Sequence, residues 1–83
     1  MALTVVMPRV GKTMTEGTIV RWEKKVGDLV RKGEALARIE TDDSEADVTA
    51  PEEGYLLKVD ADPEQIVACG EPIAWLGAQG EKA

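Results

Sequence analysis

Residues 34–50 read EALARIETDDSEADVTA. The second half alternates: Ala46, Val48 and Ala50 fall on one side, Glu45, Asp47 and Thr49 on the other. A period of two is the pattern of a strand with one buried face. The first half is rougher. Ala35, Ala37 and Ile39 alternate against Glu34, Arg38 and Glu40, and Leu36 breaks the pattern. Between the halves lie Thr41, Asp42, Asp43 and Ser44. Asp and Ser close turns because their short side chains bond to nearby backbone N–H groups. The stretch therefore predicts two strands joined by a tight acidic turn, with Asp42 and Asp43 held out into water.

Working outward, residues 3–7 form a short β-prone run stopped by Pro8. Residues 9–16 read as loop. Gly17 opens a strand over 18–25, with Ile19 and the stem of Arg21 on one face and Val20 and Trp22 on the other. Val26-Gly27-Asp28 and Lys32-Gly33-Glu34 are turn signals around the brief apolar pair Leu29-Val30. Beyond the central hairpin, Pro51-Glu52-Glu53-Gly54 turns again. Strands are expected over 55–59, 66–67 and 73–76, with a polar loop over 60–65 that contains Pro63. A single domain over residues 1–77 is expected, with 78–83 starting a linker or a frayed terminus. No window of helical length carries a 3.6-residue stripe.

The chain repeats itself. An offset of 37 residues places Gly17 on Gly54, Ile19 on Leu56, Leu29-Val30 on Ile66-Val67, Gly33-Glu34 on Gly70-Glu71, Leu36-Ala37 on Ile73-Ala74 and Ile39 on Leu76. Met7-Pro8 pairs with Ala50-Pro51 if residues 9–15 hold an insertion. Two similar all-β halves imply a sandwich or flattened barrel with pseudo-twofold symmetry. Each half then covers an apolar face that the other could not bury alone. The hairpin turn and the chain ends would lie at opposite poles.

Composition narrows the function. Eighty-three residues allow one small domain, with a stability on the order of 4–12 kcal/mol. The net charge of −6 argues against nucleic acid and suits docking on a basic protein surface. One cysteine, Cys69, makes no internal disulfide, which points to a reducing, cytoplasmic setting. Neither a signal peptide nor a run of membrane-spanning length is visible. The absence of histidine removes the commonest general base and metal ligand together. The carboxylates of the hairpin lack the spacing of a calcium loop, and no metal site is expected. As an independent enzyme the chain is poorly equipped, and the isolated piece should be a monomer.

A family resemblance rests on many pieces in order: Met7-Pro8, Thr13-Met14-Thr15-Glu16-Gly17, Trp22, Val26-Gly27-Asp28, Lys32-Gly33-Glu34, Glu40-Thr41-Asp42, Ala50-Pro51 and Gly54. Together they resemble the lipoyl domains of 2-oxo acid dehydrogenase complexes. The closest likeness is to those of the dihydrolipoyl acyltransferase (E2) components, pyruvate dehydrogenase-like ones included. The related biotin carrier domains show a lysine between methionines in the hairpin, which this chain does not. The resemblance implies two four-stranded antiparallel sheets related by a pseudo-twofold axis. It implies a lipoyl group, amide-linked to a lysine at the hairpin tip, that shuttles acyl groups and electrons between the E1 decarboxylase, the E2 core and the E3 flavoprotein. It also implies a lipoate-attaching enzyme as a partner. Asp43 stands at the lipoyl-lysine position, flanked by Thr41, Asp42 and Ser44. Glu40, Glu45 and the loop residues Arg9, Val10, Gly11, Lys12 and Thr13 fall where relatives are recognised by partners.

The departure is at the tip itself. The family pattern is Glu-Thr-Asp-Lys, and here Glu40-Thr41-Asp42 is followed by Asp43. Attachment of lipoate needs a primary amine, and a carboxylate does not form that amide. As written, the chain is expected to carry no cofactor. Asp43 has three readings: an engineered lysine replacement, a natural loss in a domain that keeps docking, or a misread residue or other use of the acidic turn. The alternative function is an unmodified interaction module on the same fold.

Overall fold

The computed structural model describes residues 2–42 and 44–82. Eight strands follow one another: β1 Leu3–Val6, β2 Glu16–Trp22, β3 Leu29–Val30, β4 Ala35–Glu40, β5 Glu45–Thr49, β6 Gly54–Val59, β7 Ile66–Ala68 and β8 Pro72–Gly77. They form two four-stranded antiparallel sheets, ordered β1-β8-β6-β3 and β5-β4-β2-β7. The expected all-β sandwich is what the chain adopts.

The sequence repeat is a structural repeat, residue for residue. In the pairing of β2 with β4, Thr18, Ile19, Arg21 and Trp22 lie opposite Glu40, Ile39, Arg38 and Ala37. Thirty-seven residues on, Tyr55, Leu56, Lys58 and Val59 of β6 lie opposite Gly77, Leu76, Trp75 and Ala74 of β8. Even the irregularities coincide. A bulge at Val20 recurs at Leu57, and one at Leu36 recurs at Ile73. The core follows the same symmetry. Ile19 with Leu56, Ile39 with Leu76, Leu36 with Ile73 and Ala37 with Ala74 are all buried between the sheets. Each half thus removes the other's apolar face from water, the main stabilising term in so small a domain.

The bulges explain two departures from simple alternation. At Leu36 the extra residue lets Leu36 and Ala37 both reach the core, so the break in period is a bend in the strand. At Val20 the bulge reverses the parity of β2. Arg21 turns out to solvent, away from Ile19's face, while Trp22 packs against the core. β2 also ends at Trp22, not at residue 25: Lys25 and Asp28 close the turn expected around Gly27, with the Lys25 N–H donating to Asp28 Oδ2 at 2.9 Å.

The molecule is elongated, 37 × 20 × 19 Å. β1 runs toward the pole that carries Thr41, Asp42 and Ser44, because its continuation enters the loop after Pro8, which lies against that turn. Its start, Leu3, is opposite Leu76 near the end of β8, so the first and last strands begin and end at the other pole. After β8 the chain turns once more. It closes a turn in which the Glu81 N–H donates to Ala78 O at 3.0 Å and the Ala78 N–H donates to the Glu81 carboxylate at 2.9 Å.

Candidate functional site: the acidic turn and its cleft

The ladder between β4 and β5 sets the site. Arg38 lies opposite Asp47, Ile39 opposite Ala46, and Glu40 opposite Glu45. One step on, the Thr41 N–H donates to Ser44 O at 2.8 Å and the Thr41 hydroxyl bonds to the same carbonyl at 3.1 Å. The two hydroxyls of Thr41 and Ser44 are 3.0 Å apart and share a further bond. The turn is thereby stapled by side chain as well as backbone, as its Thr and Ser composition predicts. Asp42 and Ser44 are exposed and Thr41 is half-buried. Asp43, the residue on which the sequence reading turns, lies outside the described residues.

Among the described residues, Arg38 pairs with two carboxylates of β5. The Arg38 guanidinium reaches Glu45 at 3.0 Å and Asp47 at 3.2 Å, across the two strands. Glu45 first, and Asp47 second, raise the pKa of Arg38 above its usual value. Glu45 is therefore engaged within the hairpin as well as exposed to partners, whereas Glu40 stands at the end of β4 in solvent.

The 9–16 loop folds beside the turn. Val10, Gly11, Lys12, Thr13, Thr41, Asp42 and Ser44 share one cleft of about 490 Å³. Of the expected recognition residues, the structure brings together Val10, Gly11, Lys12 and Thr13 with the turn. Arg9, Glu40 and Glu45 do not line the cleft. Lys12, expected among the recognition residues, also brings an amine to the wall of this cleft, which its neighbours in sequence do not show.

Lipoate does not fit the turn as it stands. Thr41, Asp42 and Ser44 offer hydroxyl and carboxylate groups, and the sequence adds another carboxylate at position 43. None of these is the primary amine that the attachment chemistry requires. Lys12 supplies an amine to the cleft wall from a different element.

Two four-stranded sheets related by a pseudo-twofold axis, with one hairpin turn held at a pole beside a folded loop, define a domain of the lipoyl and biotinyl carrier type. The chain belongs to the Biotin_lipoyl family, described as "Biotin-requiring enzyme", whose profile matches residues 3–76. It is 40% identical over 81 residues to the dihydrolipoyllysine-residue acetyltransferase component of the acetoin cleaving system of Bacillus subtilis; the match takes in 98% of this chain and 20% of that protein. It is 43% identical over 83 residues to the corresponding component of the pyruvate dehydrogenase complex of Rickettsia conorii, across 99% of this chain and 20% of that protein. The chain thus spans about a fifth of the length of these relatives. Among solved structures it is similar to the lipoyl domain of the 2-oxoglutarate dehydrogenase complex of Azotobacter vinelandii. There the TM-score is 0.63 at 26% identity, over 95% of this chain and 99% of that one.

Proposed function

We propose that this chain is a lipoyl-type domain of a 2-oxo acid dehydrogenase-like acyltransferase that docks with partner enzymes and is not lipoylated at position 43. The observation that carries the reading is the cleft in which the 9–16 loop meets the stapled turn at the pole opposite the start of β1 and the end of β8. A surface so placed meets partners first, whatever the chain is joined to. The names of the relatives, acetyltransferase components of acetoin-cleaving and pyruvate dehydrogenase systems, support E1, the E2 core and E3 as the partner classes. The domain itself contributes no catalytic group. Its role is to present Val10–Thr13 and the turn, with Glu40 and Glu45 as acidic flanks attracted to basic partner surfaces. The setting is cytoplasmic and the isolated domain is monomeric.

Asp43 favours a second, narrower reading: an interaction module that never carried an acyl group. Titration of the ¹⁵N-labelled domain with a 2-oxo acid decarboxylase tests the docking that both readings share. Amide shifts confined to residues 10–16 and 40–45 are expected. Shifts centred on the far pole, around Gly54 and Gly77, would overturn the placement of the docking surface.

A further inference from the structure

The sulfur atoms gather at the foot of the 9–16 loop. Met7 is 1% exposed and Met14 9%. A Cβ added to Gly17 would stand 3.1 Å from Met14 Cε and 3.1 Å from Met7 Sδ, so both thioethers pack against bare backbone at the start of β2. Cys69 packs beside them, its Sγ 3.6 Å from Pro8 O and 3.7 Å from Met14 O.

Met14 differs from Met7 and Cys69 in what it holds. Every other side chain of residues 9–16 is exposed, so Met14 is the one anchor of this loop in the core. Its Sδ accepts the Val10 N–H at 3.1 Å, and its own N–H donates to Gly11 O at 3.2 Å. It also lines the cleft, which neither Met7 nor Cys69 does. A small oxidant entering the cleft therefore comes up against the residue that secures the loop. Met7, alongside it, is shielded.

We propose that Met14 is an oxidation site, and that its conversion to the sulfoxide by hydrogen peroxide releases the loop over residues 10–14 from the sandwich. The step balances without another reagent. Sδ attacks one peroxide oxygen, the O–O bond breaks as the S–O bond forms, and the sulfur gives up two electrons. The second oxygen takes the remaining proton and leaves as water. The product carries a polar oxygen on a side chain whose methyl end packs beside Met7 against the Gly17 backbone. A sulfoxide needs hydration or a donor, so the side chain moves outward and the turn from Gly11 to Met14 loses its anchor. Sulfoxide reductases reverse the change. The consequence for docking rests on the function proposed above. The oxidation and the loosening do not, and they are read separately.

The test uses the chain as it stands, treated with peroxide, with peptide mapping by mass spectrometry and amide hydrogen exchange. In the folded protein Met14 should oxidise about tenfold or more faster than Met7, with the ratio collapsing in denaturant. In the oxidised species, exchange at residues 10–15 should quicken by about threefold or more while β4 and β5 keep their protection. Met14→Leu fills the same space without the reactive sulfur, and its loop exchange should not respond to peroxide. Equal oxidation of Met7 and Met14, unchanged loop exchange after Met14 is oxidised, or a Met14→Leu loop that still loosens would each overturn the proposal.

Discussion

Glu64 holds the left-handed backbone conformation that Gly27 holds one half-molecule earlier: φ is 72° at Glu64 and 99° at Gly27. The two positions lie 37 residues apart and do the same work. The Gly27 N–H donates to Leu56 O at 2.8 Å, and the Glu64 N–H donates to Ile19 O at 2.6 Å, where Leu56 and Ile19 are themselves repeat partners. The fold demands this conformation in both halves, but only the first half meets it with glycine.

Removing the mismatch should stabilise the domain. A side chain in the left-handed region costs about 1–2 kcal/mol, partly offset in glycine by its larger unfolded-state entropy. Glu64→Gly should therefore raise the urea unfolding midpoint, by up to about 1 kcal/mol in stability. Gly27→Glu should lower it by about 1–2 kcal/mol. A Glu64→Gly midpoint below that of the parent would show that the carboxylate does something the backbone geometry does not reveal.

Arg38 should act on the hairpin rather than on the whole domain. Its pairs with Glu45 and Asp47 are partly exposed, so Arg38→Ala should barely move the global unfolding midpoint. Locally it leaves Glu45 and Asp47 without their shared cation, in a hairpin that also carries Glu40 and Asp42. Hydrogen exchange of the Ala46 and Thr41 amides should quicken, and added salt should restore part of the protection by screening the repulsion. Uniform loss of protection across both sheets would contradict this assignment.

The two tryptophans should differ. Trp22 Nε1–H donates at 2.8 Å to the carbonyl of Ala61, a residue 1% exposed, and ties the 60–65 loop to β2. Trp22→Phe strands a buried carbonyl and should cost about 1–3 kcal/mol. Trp75 Nε1–H donates at 2.8 Å to Asp60, which keeps Lys58 as a second partner at 3.3 Å. Trp75→Phe should cost about 1 kcal/mol or less. Denaturant midpoints of the two variants decide the order.

Acid should weaken the fold through a small set of carboxylates. The Trp75 N–H, and then Lys58, hold Asp60 below its ordinary value of 3.8. The Arg31 N–H, and then Lys24, hold Glu34 below 4.5. Each group binds a proton more weakly folded than unfolded. Its contribution is therefore complete above the ordinary value and lost as pH falls through the lowered one. Unfolding midpoints should drop as pH falls below about 4.5, and the drop should be shallower in an Asp60→Asn, Glu34→Gln double variant. An identical slope in parent and variant would remove these two groups from the explanation.

Much of this was legible in the chain. The alternation of Ala46, Val48 and Ala50, the turn residues 41–44 and the 37-residue repeat specify strands, hairpin and symmetry, because each is a local pattern or its recurrence. The bulge at Leu36 was visible only as a broken period. The outward turn of Arg21 was hidden, because a bulge reverses parity without any mark of its own in composition. The cleft was least legible. Lys12 shares a cleft with Thr41, Asp42 and Ser44 through a loop whose single buried anchor is Met14, and a long-range approach of that kind leaves no periodic trace. The same holds for the Trp22 bond to Ala61, which spans 39 residues.

The central claim is that the hairpin presents position 43 to other enzymes and that only the missing amine prevents lipoylation. Incubation of the parent chain and of Asp43→Lys with a lipoate ligase, ATP and lipoate, followed by intact mass and peptide mapping, tests it most directly. The parent should gain nothing, and Asp43→Lys should gain one lipoyl amide mapped to position 43. A lipoyl amide on the parent, at Lys12 or any other lysine, or a folded Asp43→Lys chain that stays unmodified, would contradict it.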